Sequence, residues 1–193
     1  MTLSLLLWGI KMHFAHSTQN PDCSDWQVLA DHLQEVAELA KSRGGKFGAA
    51  AAADLAGRLH DLGKYSEAFQ RYIQGRGVSV DHSTAGAQVA IDLAKSRARF
   101  DALMADVIAY LVAGHHAGLP DRRIGAASLD RRVTRKDIAP LDPIWKTKVA
   151  LATSGLFPPD FRWNSERTRA PFQLAMLGRM IFSSASFSQS RGF

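Results

Sequence analysis

An all-α fold is what this sequence predicts, and three observations predict it. Apolar residues recur at helical spacing over most of the 193-residue chain. Gly- and Pro-containing breaks separate those runs into segments of helix length. No region alternates apolar and polar residues in the way a strand-dominated fold requires. Apolar side chains make up 46% of the chain, which is enough for one domain with its own core. One domain over 1–193 is expected, with residues 1–12 as an extension and 185–193 as an irregular tail.

The elements follow in order. Asn20-Pro21-Asp22 marks a turn, after which Ser24 or Asp25 is placed to cap a helix. In that helix Val28, Leu29, Leu33, Val36, Ala37 and Ala40 form the inner stripe. Asp31, Gln34, Glu35, Glu38 and Lys41 face outward, and Gly44-Gly45 ends it. Residues 48–60 are rich in alanine and suit a central helix with close neighbours, ending at His60-Asp61. Tyr65 to Gln74 resumes as an amphipathic helix with Phe69, Tyr72 and Ile73 inward, and Gly75-Arg76-Gly77 is a loop. Asp81 is an N-cap for a helix through Ala94 with Ala85, Val89, Ala90 and Leu93 inward. A further helix over about 100–116 carries Leu103, Val107, Ile108, Leu111 and Val112. Asp121 to Lys136 reads as a basic surface loop or short helix. Residues 143–153 are expected to be helical, as are 170–184 with Phe172, Leu174, Leu177, Met180 and Ile181.

Composition bounds the partners. Lys and Arg number 24 against 18 Asp and Glu, a formal charge of +6, which favours polyanions, nucleic acid above all. Cys23 is the single cysteine, so no internal disulfide is available; this fits a reducing, cytoplasmic setting. Residues 3–10 are the one long apolar run near the start. They are too short to span a bilayer, so no membrane association is expected.

Histidine placement carries the chemistry. Of seven histidines, His32, His60, His82, His115 and His116 fall at helix ends or on helix faces. His60 is followed by Asp61, at a helix end where adjacent side chains can converge on one ion, and His115-His116 follows Gly114. Imidazoles with a carboxylate are a transition-metal donor set.

The segment Asp25 to Ala37 containing His32, His60-Asp61-Leu62-Gly63-Lys64 with Phe69-Gln70 after it, Asp81-His82-Ser83, and Gly114-His115-His116-Ala117-Gly118-Leu119-Pro120 together resemble the HD nuclease of type I CRISPR interference. That nuclease is one branch of the HD superfamily of metal-dependent phosphohydrolases. Ala15-His16-Ser17 resembles its opening motif, and the resemblance runs from about residue 13 to residue 184. It implies an HD-domain-like helical bundle with the metal site between helices. The implied activity is metal-dependent cutting of single-stranded DNA, with a CRISPR helicase subunit and an RNA-guided surveillance complex as partners. His32, His60 and Asp61 match ligands of a first metal, Asp61 being placed to bridge, and His82, His115 and His116 match ligands of a second. Lys64 matches the motif lysine, which could pair with a phosphate oxygen. One or two divalent ions are implied, and the imidazole-rich set favours Mn, Co, Ni, Fe or Zn over Mg.

The chain departs from the family pattern in one place. A further Asp is expected after a segment like Arg179 to Ser184, and Ala185-Ser186-Phe187-Ser188-Gln189 contains no acid. Either the chain ends differently from the family's members, or an acid such as Asp137 or Asp142 takes its place, or the first metal site is weakened, the last being the expectation. Two other readings stand beside the nuclease: an HD phosphohydrolase acting on a nucleotide or cyclic dinucleotide, and a catalytically impaired docking module. The cluster Arg122, Arg123, Arg131, Arg132, Arg135 and Lys136 is either a guide for a DNA backbone or a solvated face.

Overall fold

The computed structural model describes residues 11–116, 118–152, 154–162 and 169–184. Among them the chain is helical, as expected, with one small antiparallel pair of strands. The order is β1 (Phe14–His16), β2 (Gln27–Val28), α1 (Leu29–Gly45), α2 (Ala50–Leu59), a 3-10 turn (Leu62–Tyr65), α3 (Glu67–Ile73), α4 (Ser83–Lys95), α5 (Arg99–Gly114), α6 (Leu129–Val133), α7 (Trp145–Lys148) and α8 (Arg169–Ser184). No helix among the described residues is long and apolar enough to cross a membrane.

Two helical pairs make the core, α1 against α2 and α4 against α5, with α8 lying across α1, α2 and α5. Leu29, Leu33, Ala37 and Ala40 of α1 are buried, and the polar residues assigned to its outer face are exposed. The alanines of α2 do what small residues allow. Ala52, Ala53 and Ala56 are all at most 1% exposed, so α2 sits in the middle of the molecule.

Two glycines close the pairs onto each other. A Cβ on Gly86 of α4 would stand 1.9 Å from the carbonyl oxygen of Leu59, at the end of α2. A Cβ on Gly63 would stand 2.2 Å from the carbonyl oxygen of His82. Gly63 N–H instead donates to that oxygen at 3.1 Å. The bare backbone at these two positions brings the His60-Asp61 turn against the start of α4.

Several elements differ from the sequence expectations. The first helix begins at Leu29, not at Ser24 or Asp25. Those polar residues are used in a local turn, where Asp22 accepts from Ser24 N–H at 2.8 Å and Asp25 from the Thr18 hydroxyl at 2.7 Å. Gln27–Val28 is left to pair with β1. Tyr72, expected inward, is 42% exposed, next to the last residue of α3; Met180 is similarly exposed, at 41%. The helix over 143–153 shrinks to Trp145–Lys148. Within 121–136, α6 forms and buries Leu129 completely. Residues 3–10 and 185–193 lie outside the described residues.

The close contacts make a direct prediction. Gly86→Val drives a side chain into the α2 backbone and is expected to cost about 3 kcal/mol in urea unfolding. Gly45→Ala, whose Cβ meets only Ala50 at an ordinary 3.9 Å, is expected to stay within about 0.5 kcal/mol of wild type.

Candidate metal centre

α2 ends at Leu59, and the chain turns through His60 and Asp61 into the 3-10 turn. His60 keeps helical angles, whereas Asp61 adopts φ −109°, ψ 19°. That break in helical geometry turns both side chains toward one point.

The Asp61 carboxylate is the middle of the arrangement. Its Oδ2 lies 3.3 Å from His32 Nε2, 3.1 Å from His60 Nε2 and 2.8 Å from Lys64 Nζ. Its Oδ1 lies 3.4 Å from His82 Nε2 and 3.3 Å from His115 Nε2. His116 joins through His82, Nε2 to Nε2 at 2.8 Å. The six candidate ligands therefore fall into two sets that share Asp61: His32 and His60 on one side, His82, His115 and His116 on the other. Each oxygen of the carboxylate serves one set.

Backbone carbonyls fix the rings. His60 Nδ1–H donates to Gly57 O at 2.7 Å, and His115 Nδ1–H donates to Val112 O at 2.7 Å. A carbonyl cannot donate, so the proton sits on Nδ1 and the Nε2 lone pair points inward. Burial pushes the protonation of His60 down, against the raising pull of Asp61. The same burial lowers His82, and it takes His116 to about 4. Burial would push the Asp61 carboxyl up, but the facing imidazoles, His60 foremost, pull it well below the usual carboxylate range. Imidazole Nε2 atoms aimed at one another and at an ionised carboxylate bring acceptor atoms face to face. A cation satisfies all of them at once, and orienting Nδ1–H bonds of this kind are how proteins aim histidines at a metal. The donor set fits one or two divalent transition ions.

Lys64 is placed differently from the phosphate-pairing expectation. It is buried, and its ammonium donates to Ala15 O at 3.1 Å beside the 2.8 Å contact with Asp61. It steadies the carboxylate from behind. Gln70 completes that backing, with its amide donating to Phe14 O and Lys64 O and accepting from Phe14 N–H. In the sequence Gln70 stood out only with Phe69 among the residues that carry the family resemblance, since a buried amide has no periodic signature.

Neither acid proposed to replace the missing carboxylate reaches the centre. Asp137 is exposed and paired with Arg135 at 2.9 Å, and Asp142 faces His13 and Lys11 at 3.5 Å each. His16, by contrast, stands with its ring 5.0 Å from that of His32 at the rim.

Asp81 and the basic segment brace the second set. The N-cap of α4 is His82 and not Asp81 as expected, yet Asp81 just before it satisfies the helix start, accepting from the Ser83 and Thr84 N–H groups at 3.1 and 3.0 Å. Arg132 of α6 donates to Ser83 Oγ at 2.6 Å, to Thr84 Oγ1 at 3.0 Å and to Ala113 O at 2.6 Å, and lies 3.4 Å from Asp81. One guanidinium thus ties the helix start next to His82 to the helix end before His115. Arg122 pairs with Asp106 and Asp130, and Arg135 with Asp137 and Asp81. Arg123 also lies 3.8 Å from Asp130, so four of the six basic residues considered as a DNA guide pair with acids within the fold.

The HD domain family matches residues 29–143, which contain all six candidate ligands. A search of curated proteins returned no match.

Two outcomes are expected. Asp61→Ala brings bound metal close to zero by elemental analysis, whereas His116→Ala leaves the His32–His60 set loaded. Burial would raise the Asp81 carboxyl, but hydrogen bonds from Thr84 and the charge of Arg132 take it to about 2. The lowered value stabilises the fold above the unfolded carboxyl range and is lost as pH falls toward 2. Asp81→Asn is accordingly expected to cost roughly 1–2 kcal/mol at neutral pH after allowance for solvent screening, with the difference from wild type closing between about pH 4 and 2 in denaturant titrations.

Proposed function

The chain belongs to the HD-domain family of metal-dependent phosphohydrolases, and from that premise we propose that it is a metal-dependent nuclease cutting single-stranded DNA during type I CRISPR interference. A helicase subunit and an RNA-guided surveillance complex are the proposed partners. The observation that carries the reading is the division of Asp61, with one carboxylate oxygen toward His32 and His60 and the other toward His82 and His115. A bridging carboxylate between two imidazole sets suits hydrolysis of a phosphodiester by paired ions. The combination of motifs in the sequence and the +6 charge support a polynucleotide substrate over a small nucleotide.

The chain's own residues have distinct parts. His32, His60, Asp61, His82, His115 and His116 would hold the ions. Divalent ions at such a centre supply Lewis acidity toward phosphate and activate water at neutral pH. Asp61 stays ionised and balances that positive charge. The carbonyls of Gly57 and Val112 keep the His60 and His115 rings aimed without further reorganisation. Lys64 and Gln70 hold Asp61 and the 3-10 turn in place from the buried side. His116 is exposed and lies at the open side, where a substrate phosphate would arrive.

The test is a cleavage assay with Mn²⁺, Co²⁺ or Ni²⁺ on single-stranded DNA, free nucleotides and a cyclic dinucleotide. Cutting of single-stranded DNA is expected, abolished by chelator and reduced at least about 100-fold by Asp61→Ala or His60→Ala. Preference for nucleotides sinks the nuclease reading. Failure to cut any substrate with any ion favours the docking module.

A further inference from the structure

Beside the second set of histidines runs a short aromatic path. The ring of Phe69, itself buried, stands 5.3 Å from the ring of His82 and 6.0 Å from that of Tyr72. The Lys64 ammonium lies 5.4 Å from the same ring. Two ring contacts therefore connect Tyr72 to a candidate ligand, yet Tyr72 itself is 42% exposed.

The backbone around Tyr72 is fixed. α3 closes in a Schellman motif, with Gly75 at φ 70°, Gly75 N–H donating to Tyr72 O at 2.9 Å and Arg76 N–H donating to Arg71 O at 2.8 Å. That closure brings Arg71 and Arg76 together at the helix end beside Tyr72. Both arginines are exposed, and neither makes an ion pair among the described residues. This sets them apart from Arg122, Arg132 and Arg135. The loop then presents Val78, 80% exposed, before reaching Asp81 and His82.

We propose that Arg71, Tyr72 and Arg76 form the platform on which single-stranded DNA lies as it approaches the metal centre, with a base stacked on Tyr72 and backbone phosphates on the two arginines. The proposal rests on the nuclease reading and specifies where the substrate is held. An exposed aromatic face flanked by uncommitted cations matches the two needs of a single strand, stacking for bases and positive charge for phosphates. A duplex keeps its base faces covered and offers nothing to the ring. A nucleoside monophosphate, with a single phosphate, cannot place separate phosphates on both arginines.

The experiment measures binding of the metal-loaded chain to a fluorescent phosphorothioate oligothymidylate by anisotropy, over a range of salt. Tyr72→Ala is expected to weaken binding about tenfold or more, and Tyr72→Trp to restore it. Arg71→Gln and Arg76→Gln are each expected to flatten the dependence of log affinity on log salt by about 0.7. Metal content and melting temperature report whether each variant keeps its fold. Variants that bind like wild type, or a Tyr72→Trp protein as weak as Tyr72→Ala, overturn the platform. Should those results come from a wild-type chain that cuts single-stranded DNA, the nuclease reading stands and the platform alone falls. A wild-type chain that neither binds nor cuts such DNA overturns both.

Discussion

An ionised carboxylate held inside protein sets the terms for the rest of this fold. Taking Asp61 out of water costs several kcal/mol unless its charge is met on every side. Lys64 meets it from behind at 2.8 Å, and four imidazole nitrogens stand at 3.1–3.4 Å in front. The surrounding architecture follows from bringing those groups together from distant parts of the chain. α1 contributes His32, the end of α2 contributes His60, the start of α4 contributes His82, and the end of α5 contributes His115 and His116. Helix ends supply most of these ligands because there a side chain can project along the axis and not only outward from it.

Stiffness around the centre is supplied from outside the ligand set. Arg132 joins α4 to α5, Gln70 joins β1 to the 3-10 turn, and Arg58 joins Asp54 of α2 to Gln34 of α1. None of these side chains touches the point where the imidazoles converge. Each holds two backbone segments at a fixed separation, so the rings arrive already oriented. Such support is what distinguishes a centre ready for an ion from a loose gathering of polar residues.

Much of this was legible in the sequence, and the parts that were not share a cause. Periodicity exposes which face of a segment is buried, so the stripe of α1 and the alanine-rich middle of α2 could be read directly, whereas in α5 Leu103 and Val107 are only half-buried and Met104 and Ala105 are buried instead. His60-Asp61 at the end of an apolar run, and His115-His116 after a glycine, signalled convergence on one point. Periodicity does not say which neighbour covers a face or how far that neighbour extends. Tyr72 fits the inner stripe of α3 by spacing, yet it meets the ring of Phe69 and is otherwise left 42% exposed. Arg132 looks like any surface arginine until α6 folds against α4 and α5. The strand pair is too short, at two or three residues a side, to leave a period at all. Lys64 could be assigned to a phosphate or to solvent, but its burial against Asp61 depends on β1, which lies almost fifty residues earlier.

The contact between Gly63 and His82 has a consequence for how this protein can change over time. One link between the two helical pairs is a main-chain hydrogen bond from Gly63 N–H to His82 O, so the imidazole of residue 82 takes no part in it. A lineage can exchange that histidine, and with it the ion, without disturbing how the pairs meet. Residue 63 offers no such freedom, because any side chain there meets the backbone of residue 82. Chemistry and assembly are thus inherited through different residues of one contact.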